Sequence, residues 1–450
     1  MIKNIINKLK KAGENDKIVY KNVLGAFLVK GFALLVTLFT LPSYIRFFNN
    51  DEVLGLWYTV LSLLNWILNF DLGIGNGLRN HLSESLSKGT KDDTKKYISS
   101  AYISVGAIVI FLSAIFPLLI SKTNHNGLLN IDEAVVSAED LYIVAVIVFV
   151  GVMLQFWLRL ISSVLYALQK SSINNFLVLI TNIIILVFAA VFPSRSNGEN
   201  VIIMAIVHAI AVALPLLTAT FFVFCGKLRY AVVRIKYFTL EHTKKVLSLG
   251  GVFFFVQIAY LIIMSTNEFL ITKIAGNEFG VDYQAYYKIF SLGSTVFALA
   301  LTPIWSVITK AQAENNIKWI QSTYKKFMLL GIIFCAGEFA VAFITEPIMT
   351  IWLGAENVPK IKFIYSMIFA LLGSAMVING VLSSIANGTG RLKTQAICFG
   401  IGAILKVPLS YAFVDICGSW IGVVLANVVS MGLYCIAQPI VFRRYFKTNK

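Results

Sequence analysis

The chain has 450 residues, 58% hydrophobic and only 13% charged. Its apolar residues come in blocks far longer than soluble cores use, which excludes a soluble globular protein and marks a polytopic membrane protein. The formal charge of +16 does not point to nucleic acid, because the lysines and arginines sit in short loops between apolar spans and not on one basic domain. Five cysteines (Cys225, Cys335, Cys398, Cys417 and Cys435) lie singly, with no CxxC pair and no clustered histidines, so no disulfide framework, zinc site or cofactor is expected.

The amino-terminal stretch Met1–Lys17 is polar and basic, and no small-residue cleavage site follows a short apolar core, so the first helix is expected to be retained. A membrane helix needs about 20 mostly apolar residues. Twelve stretches qualify: 18–48, 53–78, 97–121, 140–169, 171–193, 200–225, 246–275, 283–308, 325–353, 361–386, 394–414 and 420–442. Pro42 kinks the first or marks its end. The second runs out through NFDLGIGNGLRN (Asn69–Asn80), where Gly73, Gly75 and Gly77 strip side chains from one side of a helix, so that a neighbour can approach or the helix can bend. Nucleotide binding by this GxGxG is excluded, since no strand precedes it and no lysine-serine pair follows. Pro303, in Phe297–Gln312, occupies the matching place in the second half, so both halves are expected to break the same helix.

With both termini placed in the cytoplasm, 28 of the 38 Lys+Arg residues fall on that side and 6 on the other, and the asymmetry sets the expected orientation. The longest outer loop is roughly Lys122–Glu139, too short for an extramembrane domain. Internal matches recur in order: WYTVLSLL (Trp57–Leu64) with YYKIFSLG (Tyr286–Gly293), KKYISSAY (Lys95–Tyr102) with YKKFMLLG (Tyr324–Gly331), and SSVLYALQKSSINN (Ser162–Asn175) with SSIANGTGRLKTQA (Ser383–Ala396). Six helices per half is an even number, so both halves enter from the same side and the repeat is parallel. The expected domains are an N-terminal lobe over 1–225, a basic cytoplasmic linker over 226–245, and a C-terminal lobe with its tail over 246–450.

Four features together resemble the polysaccharide-transport branch of the multidrug/oligosaccharidyl-lipid/polysaccharide (MOP) exporter superfamily, most closely its O-antigen (Wzx-type) flippases of lipid-linked oligosaccharides. They are the first two helices with DLGIGNGLRN (Asp71–Asn80), the stretch NEFLITKIAGNEFGVDYQAYYKIF (Asn267–Phe290), and the turns ALQK (Ala167–Lys170) and ANGTGRLK (Ala386–Lys393). The family pattern of an acidic residue, an apolar run, a glycine and a tyrosine falls on Glu268, Gly280 and Tyr283. The resemblance implies an all-α protein of 12 transmembrane helices in two six-helix lobes around a central cavity that opens alternately to each side. It further implies a multi-pass protein of the bacterial inner membrane, a transporter and not an enzyme. Its partners would be a lipid-linked oligosaccharide, membrane lipids, a coupling H+ or Na+, and other polysaccharide-assembly proteins.

Charge inside a span costs from about 2.5 kcal/mol upward, so it should face a wet cavity or a partner. Lys30, Arg159, Lys288 and Lys406 are the cations within spans and the candidates for an anionic substrate. For Lys288 the rival reading is an interfacial lysine with its stem in lipid, and for Lys406 an ion pair with Glu338 or another acid. Glu268 and Glu338 are candidates for ion coupling, because a carboxylate desolvated in a helix bundle can exchange protons at cellular pH; the rival is plain neutralisation of a lysine. Asp71 and Arg79 suggest a cap or gate ion pair beside the hinge candidates Gly73, Gly75, Gly77 and Pro303. Tyr283, Tyr286 and Tyr287 can stack on sugar rings or anchor a helix at the interface.

A flippase for an undecaprenyl-pyrophosphate-linked oligosaccharide needs a hydrated cavity for the head group while its tail stays in lipid, and cations there suit the pyrophosphate. No ATP-binding motif is present, so an ion gradient or substrate turnover would drive it. A multidrug antiporter of the same superfamily would be expected to use acidic residues, of which the first-half spans hold Asp71 alone. A glycan polymerase would be expected to carry a large outer loop, which is absent from this pattern.

Overall fold

The computed structural model describes residues 25–448 apart from 26–27, 30, 34–35, 37–38, 41, 70–72, 130, 277–278 and 354–360. Lys30 and Asp71 therefore lie outside the described residues. Within them the protein is helical with no strand, and ten helices are long and apolar enough to cross a membrane. A shorter apolar stretch, Glu52–Leu61, and the helical residues 42–48 precede these. This is an all-α, multi-pass membrane protein.

By its internal contacts the chain forms two compact units, Met1–Gly251 and Val252–Lys450. In the first, α1 (Asp51–Asn69) and α2 (Ile74–Lys88) are followed by α3 (Lys91–Ile120), short α4 (His125–Leu129), α5 (Ala138–Leu158), α6 (Leu160–Ala167), α7 (Ser171–Val191) and α8 (Asn197–Cys225). Caps set several of these starts. Ser137 Oγ accepts the Asp140 N–H at the head of α5, and Ser196 with Glu199 forms a capping box at α8. Helix α8 packs along α5 and α7, α3 along α5, and α2 along α6. One apolar cluster joins Leu78, Leu82, Ile98, Ile161 and Val164, and a second joins Phe47, Phe48, Trp57, Leu141 and Met204.

The basic segment after α8 forms two 3-10 turns, Arg229–Ala231 and Ile235–Tyr237, and is tied down by hydroxyls of α3. Ser99 Oγ accepts the Arg234 N–H at 3.2 Å, and Ser100 Oγ accepts the Thr239 N–H at 3.0 Å. Helix α9 (Leu240–Ser265) follows and contains the division between the units.

The second unit holds α10 (Asn267–Ile274), α11 (Phe279–Ala313), α12 (Ile317–Phe343), α13 (Thr345–Leu353), α14 (Phe363–Thr389), α15 (Lys393–Cys417) and α16 (Ile421–Thr448). Helix α14 is its axis, packing against α11, α12 and α16, while α15 packs on α16. Asn316 caps α12 by accepting the Trp319 N–H, and Gly390, at φ 69°, closes α14 in a left-handed turn that a side chain would strain.

Several expected spans are interrupted. The second ends as α1 at Asn69 and restarts as α2 at Ile74, with Gly73 at φ 64° just before it. The fourth breaks at Arg159, the seventh at Thr266 and the ninth at Ile344. The matched break at Pro303 does not occur, since α11 runs unbroken for 35 residues with Pro303 inside it. A proline removes one hydrogen bond, and packing of α11 on α14 holds the remaining turns.

Candidate functional site

The first unit contains a cleft of about 680 Å³ walled by α2, α3, α5, α6, α7 and α8. That volume is in the range of small-ligand pockets. Its apolar side comes from residues such as Ile108, Leu112, Val178 and Val212. Its polar side comes from Asn76, Gln155, Ser162, Ser163, Tyr166, Asn174, Asn175 and Thr181, with Arg159 among them.

Arg159 reaches this cleft because of the break between α5 and α6. The Ser162 N–H closes a tight turn on the Arg159 carbonyl at 2.9 Å, and the side chain is exposed. It is the one charged side chain among the described residues lining the cleft, and no described acid lies within ion-pair distance of it. Arg79, on α2, is buried, with its guanidinium stacked 4.3 Å over the Tyr166 ring, so it braces the wall behind Tyr166 and is not presented to the cleft.

The glycines of α2 have separate packing reasons. A Cβ on Gly75 would lie 2.8 Å from Ser163 Oγ, so its bareness makes room for a hydroxyl of the cleft. A Cβ on Gly77 would lie 2.4 Å from the Val246 carbonyl oxygen and 3.0 Å from the Gly250 nitrogen, because α2 and α9 touch there backbone to backbone.

Residues expected to carry chemistry in the second unit are placed differently. Lys406 is fully buried and its Nζ donates to the Val423 carbonyl at 2.6 Å; it lines no cleft described here and pairs with no described acid, so it is a buried cation satisfied by backbone. Lys288 is exposed, with Nζ 5.9 Å from the Trp352 ring centroid. Tyr283 and Tyr286 are buried against protein rings and not offered to a sugar. Tyr283 stacks on Tyr287 and accepts from Asn267 Nδ2 at 2.9 Å, and Tyr286 stacks on Phe369 at 5.1 Å and accepts the Lys362 N–H. Burial of Tyr283, Tyr286 and Phe290, about one turn apart, is what a helix packed on α14 demands of that face. Glu268 is exposed and accepts from Gln284 Nε2. Glu338 is buried, on α12.

Sequence reasoning missed the polar wall. Ser162, Ser163, Tyr166, Asn174 and Asn175 all lie in the repeat segment SSVLYALQKSSINN, whose hydroxyls and amides inside apolar spans were the available signal. Near the basic segment, a ring cluster was also unforeseen: His81 stacks on Tyr97 at 4.9 Å, Tyr97 meets His242 at 4.6 Å, and His242 Nε2 is 3.6 Å from Asp93 Oδ1. Burial pushes the His81 imidazole below its ordinary value, partly countered by its contact with the Lys245 carbonyl.

No family model matches the sequence, and no curated protein matches it. Solved structures do match in fold, each over 97% of this chain and 97% of its own. A MOP superfamily transporter from Pyrococcus furiosus, whose reverse binding-pocket polarity is reported to suggest a different function, superposes with a TM-score of 0.76 at 16% identity. An outward-facing multidrug resistance MATE family transporter of the MOP superfamily gives 0.75 at 14%. A MATE structure in complex with MaD3S gives 0.75 at 15%. The fold is that of MOP superfamily transporters.

Proposed function

We propose that the chain is a bacterial inner-membrane flippase that translocates an undecaprenyl-pyrophosphate-linked oligosaccharide from the cytoplasmic to the outer leaflet by alternating access, driven by an ion gradient. The observation that carries this reading is the polarity of the cleft: one exposed guanidinium, a set of hydroxyls and amides, an apolar side, and no acid among its described lining residues. A pyrophosphate takes the guanidinium's paired donors, sugar hydroxyls take the Asn and Ser groups, and the apolar side accepts the start of the lipid tail. A cationic drug would meet Arg159 with no counter-charge among the described lining residues. Among proteins of this fold, the Pyrococcus furiosus transporter supports the use of pocket polarity as a guide to function. The expected orientation, with both termini and the basic segment cytoplasmic, belongs to this proposal.

The test is a series at Arg159 in the full chain, reconstituted in vesicles and assayed for protection of a pyrophosphate-linked oligosaccharide lipid from an external hydrolase. Arg159→Ala and Arg159→Glu should lose transport, and Arg159→Lys should retain part of it, because lysine keeps the charge and loses the bidentate fork. Normal transport by Arg159→Glu at equal protein level refutes the proposal. Export of a lipophilic cation, enhanced by Arg159→Glu, would favour the multidrug antiporter in its place.

A further inference from the structure

Glu338 is a second-unit carboxyl that the cleft in the first unit does not use. It is 5% exposed, near the C-terminal end of α12 and within a span, and lies between two other helices at positions where each has a glycine. A Cβ on Gly293 of α11 would fall 2.2 Å from Glu338 Oε1, and one on Gly373 of α14 would fall 2.8 Å from Oε2. The same position beside Gly373 is 2.7 Å from the Phe290 carbonyl oxygen. The carboxyl thus occupies space that any other residue at 293 or 373 would fill, and one of its oxygens shares that space with a backbone oxygen.

The donors and charges that an ionised carboxylate needs are missing among the described residues. No lysine, arginine or histidine lies within ion-pair distance, and no hydrogen bond reaches the group. Helix α14 has no Asp, Glu, Lys, Arg or His at all, and α11 has none between Lys288 and Lys310. Lys288, five residues before Gly293, is exposed and faces Trp352. The titratable neighbours are thiols: Cys335, one turn earlier on α12, donates to the Ser374 carbonyl, and Cys435 of α16 donates to the Ala375 carbonyl and accepts from Asn379. Two oxygen acceptors beside one point repel, and a largely buried carboxylate with neither a described donor nor a described cation is disfavoured. A proton on the carboxyl removes the charge and leaves one of its oxygens a donor. A metal cation would need several more oxygens than the carboxyl and this carbonyl provide.

We infer that Glu338, seated between Gly293 and Gly373, is a proton-binding site of the second unit, holding one proton in this conformation and releasing it when the three helices part. It rests on the transporter reading for its role in coupling, but not for its existence.

Infrared spectra of the full-length protein in lipid nanodiscs test it directly. A carbonyl-stretch band of a buried protonated carboxylic acid is expected near neutral pH, lost in Glu338→Gln and retained in Glu268→Gln, since Glu268 is exposed. In the same sample, dicyclohexylcarbodiimide, which reacts with protonated carboxyls in apolar surroundings, should modify Glu338 at about pH 6 and much less at about pH 9, as read by peptide mass spectrometry. This arm needs no variant to fold. Absence of both the band and the adduct overturns the site, and so does protection by sodium chloride that choline chloride does not match, which would mean a metal cation. A protein that shows both signals yet moves no pyrophosphate lipid keeps the proton site and loses only the proposed substrate.

Discussion

The contact of α2 with α9 can be tested by moving a single methyl group. Gly77 and Gly251 are both helical glycines of the first unit, but a Cβ on Gly77 would lie 2.4 Å from the Val246 carbonyl oxygen, whereas one on Gly251 would meet nothing within 4 Å. Ordinary contacts begin at 3.4 Å, so Gly77→Ala forces the two backbones apart by about 1 Å, and no side chain can rotate away because the obstacles are main-chain atoms. The gain in helix propensity on going from glycine to alanine, about 0.8–1 kcal/mol, is common to both variants and cancels in their comparison. What remains is the overpacking cost, about 1–3 kcal/mol, which is roughly a 5- to 150-fold difference in the unfolding equilibrium. The assay is reversible unfolding of the purified chain in mixed micelles with increasing dodecyl sulfate, following tryptophan fluorescence. Gly77→Ala should be less stable than Gly251→Ala by that margin, and Gly251→Ala at least as stable as the unaltered protein. Equal stability of the two alanine variants refutes the close approach, and with it the packing explanation of the glycine-rich stretch.

Lys406→Met keeps the side chain's length and removes a buried charge whose described partner is a carbonyl, so stability should stay within about 1.5 kcal/mol of the parent or rise, and transport should persist. Lost transport at normal stability would return Lys406 to the substrate path. His81, neutral when folded because burial holds its protonation below the ordinary value of 6.5, binds fewer protons folded than unfolded; its contribution is fully present above pH 6.5 and is lost as the pH falls below it. Melting curves should therefore weaken between about pH 7 and about pH 5, with a shallower slope in His81→Phe; identical slopes refute that role. Reporter fusions at residue 235 should give a cytoplasmic signal, and a signal from the outer side would overturn the proposed orientation.

The membrane class, the helical class and most span positions were legible in the sequence because they follow from composition and length: blocks of about 20 apolar residues leave a chain in lipid no alternative to helices. The interruption at Arg159 was not legible, since it is a local tightening of an apolar run with no proline or glycine to announce it, whereas Pro347 just after the break at Ile344 and the polar run Ser265–Glu268 around the break at Thr266 were signals left unread. Nor could residue type separate the intramembrane cations. Arg159 and Lys406 are both isolated charges well inside apolar spans, yet one faces a cleft lined with amides and hydroxyls while the other is enclosed and bonded to the Val423 carbonyl. Spacing along one helix says which residues share a face; what that face meets is set by the helices packed against it. For Glu338 those neighbours are Gly293 and Gly373, 45 residues before it and 35 after it in the chain, and only their assembly around α12 makes a bare carboxyl into a place for a proton.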